Sequence, residues 1–148
     1  MEKNNYQMSY TSYGLIDEES KSRGVIIGGK EHITHKDMLK CCWPTYMTVM
    51  YNREIMGLLQ VKKKNENNDY ALWIEASKKA DCYLLNDNLA SYRIHSGIMG
   101  QYIMTNKFKW RYDCYREQEG LGVLVSFFYT LRNLCYGMWK WYKYVQKQ

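Results

Sequence analysis

The chain has 148 residues, enough for one domain with a core and too few for two of ordinary size. Apolar residues make up 46% of it, which excludes a disordered chain, and the formal net charge is +6. No uninterrupted run of 18 apolar residues occurs, and Met1-Glu2-Lys3-Asn4-Asn5 lacks the apolar core of a signal peptide, so neither a membrane span nor export is expected.

In chain order, apolar and polar residues alternate from Tyr6 to Ile16 (Tyr6, Met8, Tyr10), which predicts a strand. After the polar turn Asp17–Gly24, Val25-Ile26-Ile27 is a short β-prone run ending at Gly28-Gly29. Thr34 is placed to cap a short helix over His35–Lys40. Thr48–Tyr51 reads as a strand, Arg53–Leu59 as a turn or two of helix, and Lys62–Asn68 as a solvated loop. Asn68 or Asp69 opens a helix to about Lys79, with Tyr70, Trp73, Ile74 and Ser77 at near-helical spacing. Strands at Cys82–Leu85 and Leu89–Ile94 flank the turn formers Asn86-Asp87-Asn88. The pattern is mixed α/β, without internal repeats.

From Gln101 the pattern is helical, interrupted at Gly120 and Gly122. Leu124, Phe128, Leu131, Cys135, Met138, Tyr142 and Val145 then recur at alternating steps of four and three, one apolar stripe on one helical face. Residues 101–148 hold eight basic and three acidic residues, so most of the net charge lies here. Such a stripe, flanked by Arg132, Lys140, Lys143, Lys147 and two tryptophans, suits either an anionic membrane surface or packing on the α/β body or a partner helix. The same charge could track nucleic acid, but no helix-turn-helix, zinc finger, RNP-like or KH-like pattern accompanies it, so no nucleic-acid partner is expected.

The five cysteines show no C-x-x-C pair or Cys/His cluster, which argues for a reducing, cytoplasmic setting and no metal site. His32 and His35 have no acids at ligand spacing. Asp69 stands at a helix mouth, where the helix N-terminus favours the ionised carboxylate; that suits both a capping residue and a base accepting a hydroxyl proton. Arg93 and His95, two apart at a strand end, share a face. They suit either a solvated edge or a diphosphate contact.

Several blocks together carry a resemblance: Ser9-Tyr10-Thr11-Ser12-Tyr13, Ile33-Thr34-His35-Lys36-Asp37-Met38-Leu39, Thr48-Val49-Met50-Tyr51-Asn52-Arg53-Glu54, Asn67-Asn68-Asp69-Tyr70-Ala71-Leu72-Trp73 and Leu89-Ala90-Ser91-Tyr92-Arg93-Ile94-His95-Ser96-Gly97. In this order they resemble the C-terminal half of bacterial family 2 glycosyltransferases of capsular and cell-surface polysaccharide loci. The resemblance implies a partial GT-A-like α/β fold, with residues 1–100 as the acceptor-side half and 101–148 as a C-terminal amphipathic helical extension. It implies transfer of a sugar from a nucleotide-sugar donor to a glycan or lipid-linked acceptor, with inversion. Asp69 falls at the position of the catalytic base, and Arg93 and His95 at positions near the donor diphosphate. Peripheral contact with the inner face of the membrane goes with this reading.

Two departures are local: Asn68 replaces the family's frequent acid or Gln, and Ile98-Met99-Gly100 replaces Ser-x-Ser. A larger one is that no Asp-x-Asp, the family's divalent-metal motif, occurs anywhere in the chain. The resemblance thus implies a chain with no cofactor of its own, inactive without a nucleotide-binding partner half. A divalent metal (Mn or Mg) is expected only in the complete enzyme. The alternative is a non-catalytic remnant or an interaction module at a membrane or protein surface.

Overall fold

Alternation in the first strand decides where the core lies. In the computed structural model, which describes residues 1–60, 68–95 and 98–147, strand β1 (Met8–Ile16) buries Met8, Tyr10 and Ser12 on one face. It is the centre of a mixed six-stranded sheet in the order β3 (His32–Ile33), β5 (Cys82–Arg93), β1, β2 (Ser22–Ile27), β6 (Val145–Lys147), with β4 (Val49–Tyr51) paired to β1 off this path. β2 and β4 pair antiparallel with opposite ends of β1, while β5 runs parallel along its whole length. β3 pairs with the start of β5. Five helices complete an α/β chain with a C-terminal helical extension, as the sequence predicts: α1 (His35–Met38), α2 (Arg53–Met56), α3 (Asn68–Ser77), α4 (Ile98–Gln118) and α5 (Val123–Tyr144). The solvated loop expected at Lys62–Asn68 falls outside the described residues up to 67.

Local chemistry accounts for the short elements. Thr34 and Asp37 form a reciprocal capping box at α1, and Asn52 caps α2 through its side-chain oxygen. Burial works against the Asp37 carboxylate, but Lys30, Thr34 and Lys40 all donate to it and hold it well below the usual carboxylate range. Gly29 is required by contact: a Cβ there would strike the Tyr10 hydroxyl, which donates to the Lys30 carbonyl at 2.6 Å.

Two expectations are corrected. The first is the pair of strands separated at Asn86-Asp87-Asn88: β5 is one strand, and the turn formers make a bulge. Thr11 faces Leu85, Ser12 faces Asn88 and Tyr13 faces Ala90, so β5 takes up extra residues opposite β1. Asn and Asp tolerate that irregular backbone without ending the strand, and Asn86 accepts from the Ser12 hydroxyl. The second is the body-packing option for the apolar stripe. Leu124, Phe128, Met138 and Tyr142 are 83%, 63%, 68% and 89% exposed, and Cys135 is exposed as well. α5 instead packs inward through Ser126, Thr130 and Asn133, all buried. The two hydroxyls are satisfied within their own stretch of chain: Thr130 donates to the Ser126 carbonyl and Ser126 to Leu121. The stripe also ends earlier than its spacing suggests, because Val145–Lys147 leaves the helix as β6 and pairs antiparallel with β2.

Asn133 fastens this helix to the body. Its amide donates to the Tyr70 hydroxyl at 2.9 Å and to the Tyr115 hydroxyl at 3.0 Å. Those hydroxyls donate in turn to the Met38 and Leu39 carbonyls at the end of α1. Every proton in the cluster has an acceptor, which is what makes a polar cluster tolerable in a core. Replacing Asn133 by Ala should cost about 1–3 kcal/mol, because two buried hydroxyl oxygens lose their donor. Leu124→Ala on the exposed face should change stability by less than about 0.5 kcal/mol. Urea unfolding of the two variants measures both.

Candidate functional site

The helix that carries Asp69 is held on its inner side. Tyr70, Trp73, Ile74 and Ser77, the residues singled out by spacing, are all buried. Tyr70 stacks edge-on against Tyr115 and lies beneath the Arg111 guanidinium, 4.0 Å from its ring centroid. At the other end of α3, Lys79 donates to the Met56 carbonyl at 2.7 Å. These contacts fix the direction of the helix, and thereby the position of its first turn.

Asp69 lies in that first turn, half-buried, and its Oδ1 accepts from the Tyr70 backbone N–H at 3.0 Å. It bears electrostatically on Cys42 from the α1–β4 connection and on Cys114 of α4, and Arg111 bears on the same two thiols. Asp69 thus accepts from a backbone N–H of the first turn of α3, next to the tyrosine over which Arg111 lies.

Arg93 and His95 are placed differently. The Arg93 guanidinium clamps the β1–β2 turn: Nη1 donates to the Asp17 and Glu18 carbonyls at 3.1 and 2.7 Å, and Nη2 to the Ser20 hydroxyl at 2.9 Å. His95 is exposed just beyond β5. The two imidazoles considered earlier go to separate partners. His32 meets Asp81 at 2.7 Å and stacks on Tyr83, while His35 meets Ser77 at 2.9 Å and Glu119 at 3.4 Å. Among the described residues no three His, Cys, Asp or Glu side chains converge as metal ligands, so these residues supply no cage for a divalent ion.

Two clefts lie near these elements. The smaller, about 170 Å³, is lined by Tyr13, Cys41, Cys42, Lys107, Arg111 and Lys140, among others. Burial pushes the Cys42 thiol up to about 12, with Asp69 adding to the effect, and pushes Cys114 to about 11, so both stay protonated near neutrality. The larger and more open cleft, about 940 Å³, is floored by Tyr6 and Tyr83, whose rings stack at 3.6 Å. In the sequence Lys107, Arg111 and Lys140 stand out only as three of the eight basic residues of 101–148. The four-residue spacing of Lys107 and Arg111 marks a shared helical face, but Lys140 comes from a different helix and could not be joined to them by spacing.

The chain is 32% identical over 117 residues to a protein of Bacillus subtilis (strain 168) named as a teichuronic acid biosynthesis glycosyltransferase; the match takes in 76% of this chain and 45% of that protein. It is 28% identical over 147 residues to an uncharacterized glycosyltransferase of Haemophilus influenzae, covering 97% of this chain and 57% of that protein. The two matches relate the chain to glycosyltransferases, and it spans about half the length of these curated relatives. No family model matches the chain. No solved structure matches it either.

Proposed function

We propose that this chain is the acceptor-side half of an inverting, GT-A-type family 2 glycosyltransferase of surface-polysaccharide synthesis, with Asp69 as its base. The carrying observation is Asp69 itself: a half-buried carboxylate in the first turn of α3, in a helix seated by Tyr70, within a chain related to glycosyltransferases. In this reading the ionised Asp69 carboxylate takes the proton of the acceptor hydroxyl. The acceptor oxygen forms its bond to the anomeric carbon as the bond from that carbon to the donor diphosphate breaks on the opposite face. The configuration inverts, the diphosphate leaves with the bonding electrons, and the proton remains on Asp69. Residues 1–100 provide this acceptor side and residues 101–148 the helical extension.

The departing diphosphate needs positive charge. His95, exposed beyond β5, is available to it; Arg93 reaches it only by giving up its bonds to the β1–β2 turn. A nucleotide-binding half, bringing the divalent metal and the donor sugar site, completes the catalyst in this reading. The reaction then runs on the cytoplasmic side of the cell membrane, with a glycan or lipid-linked sugar as acceptor.

A specific observation also favours a surface role for the extension. α5 turns its apolar stripe outward, with Trp141 and Tyr142 exposed, and among the described residues no helix is long and apolar enough to cross a membrane. A helix of this kind lies on a bilayer rather than through it. The same surface serves the alternative reading, a non-catalytic interaction module.

Two measurements test these readings. Calorimetric titration with a nucleoside diphosphate and Mn²⁺, followed by a transfer assay, should give sugar transfer only when the chain is mixed with a nucleotide-binding half. Absence of transfer in every mixture contradicts the catalytic reading. Co-sedimentation with liposomes containing anionic lipid should capture the chain, and Phe128→Ser with Tyr142→Ser should release most of it. Capture that survives both substitutions contradicts the role of the stripe.

A further inference from the structure

Three cations meet in the smaller cleft with no carboxylate among its described lining residues. Lys107 and Arg111 come from one face of α4, and Lys140 from the inner side of α5. Lys140 points into the body, where it donates to the Cys42 carbonyl at 3.0 Å and the Trp43 carbonyl at 2.6 Å. These carbonyls satisfy two of its three protons and leave its charge uncancelled. Arg111 is less well served: among the described residues its Nε and Nη1 are shielded from water and meet no acceptor, and its guanidinium lies over the face of Tyr70. Shielded N–H groups left in this state cost free energy, so they call for a partner. The cations also oppose one another. Burial and the neighbouring Arg111 hold the Lys107 ammonium below its usual value, and burial with Arg111 and Lys107 does the same to Lys140.

We propose that Lys107, Arg111 and Lys140 form a binding site for a phosphate or diphosphate group. A cleft of about 170 Å³ gives room for such a group. A guanidinium offers a planar fork of donors to phosphate oxygens and an ammonium adds a point charge, a combination suited to this oxyanion. One anion in the cleft relieves the repulsion among all three cations. Arg111 lies over the ring of Tyr70, which follows Asp69 in α3, so the bound group adjoins the helix that carries Asp69. The site stands on its own geometry. Under the sugar-transfer reading it takes the diphosphate of either the nucleotide donor or a lipid-linked acceptor.

Calorimetric titration of the intact chain with inorganic diphosphate, in EDTA and low salt, tests the site. Binding is expected, and Lys107→Gln, at the half-buried rim, should weaken it at least tenfold, whereas Lys36→Gln on the exposed side of α1 should leave it within twofold. Arg111→Lys, which keeps the charge but loses the fork, should also weaken it; circular dichroism establishes that each variant is folded. Absence of heat with the wild-type chain, or equal binding by Lys107→Gln and wild type, overturns the proposal. Competition by uridine diphosphate and by geranyl diphosphate then separates the sources. Tighter binding of the first assigns the site to the donor, and tighter binding of the second to a lipid-linked acceptor. Because the readout is anion binding by this chain alone, its failure leaves the transfer experiment standing, and failure of transfer leaves the binding result standing.

Discussion

The contact of the Tyr70, Tyr115 and Asn133 side chains holds this architecture together. It joins α3, α4 and α5 at one point and ties all three to the end of α1 through the Met38 and Leu39 carbonyls. An amide with two hydrogens serves two hydroxyl oxygens, and each hydroxyl proton has a carbonyl to meet. A cluster satisfied in this way specifies one arrangement of helices more sharply than apolar contact would, since a displaced helix leaves a buried donor or acceptor unpaired. The direction of α3, and hence the position of Asp69, depends on it.

The cluster also explains why α5 is turned with its polar side inward. Once Asn133 is committed to the two tyrosines, Ser126 and Thr130 follow on the same face, and the helix bonds their hydroxyls to nearby backbone carbonyls. The apolar stripe is left on the outside. The same rotation carries Lys140 into the body and lays Arg132 over the Tyr129 ring, 3.9 Å from its centroid, with a bond to the Leu39 carbonyl. Part of the basic charge that looks superficial in the sequence is therefore internal. It accumulates beside Arg111 and Lys107, in a cleft without acids among its described lining, next to the Tyr70 ring of α3.

Much of the fold was legible because its signals are local. The Thr34 cap, the alternation in β1 and the four inward residues of α3 each rest on neighbours within a turn or two. β5 was misread because Asn and Asp mark an irregular backbone without saying whether the chain reverses or only bulges; the partner strand decides. The stripe on α5 was legible as a stripe, but spacing does not tell which face a body covers when the polar face can satisfy itself. At the candidate site the helix-mouth position of Asp69 could be read from the sequence. The clamp role of Arg93 depends on a turn more than 70 residues away, and the Lys107–Arg111–Lys140 cleft depends on two helices meeting, so neither leaves a local trace.

The central claim is that Asp69 is a base for sugar transfer rather than only a residue at the start of a helix. Asp69→Asn keeps the size of the side chain and the oxygen that accepts from the Tyr70 N–H, while removing the group that takes a proton. In the enzyme reconstituted with a nucleotide-binding half, this substitution should lower the rate of transfer by about 10²–10⁴-fold with nucleotide binding unchanged. Transfer by the variant at a rate within a few-fold of the parent would contradict the assignment.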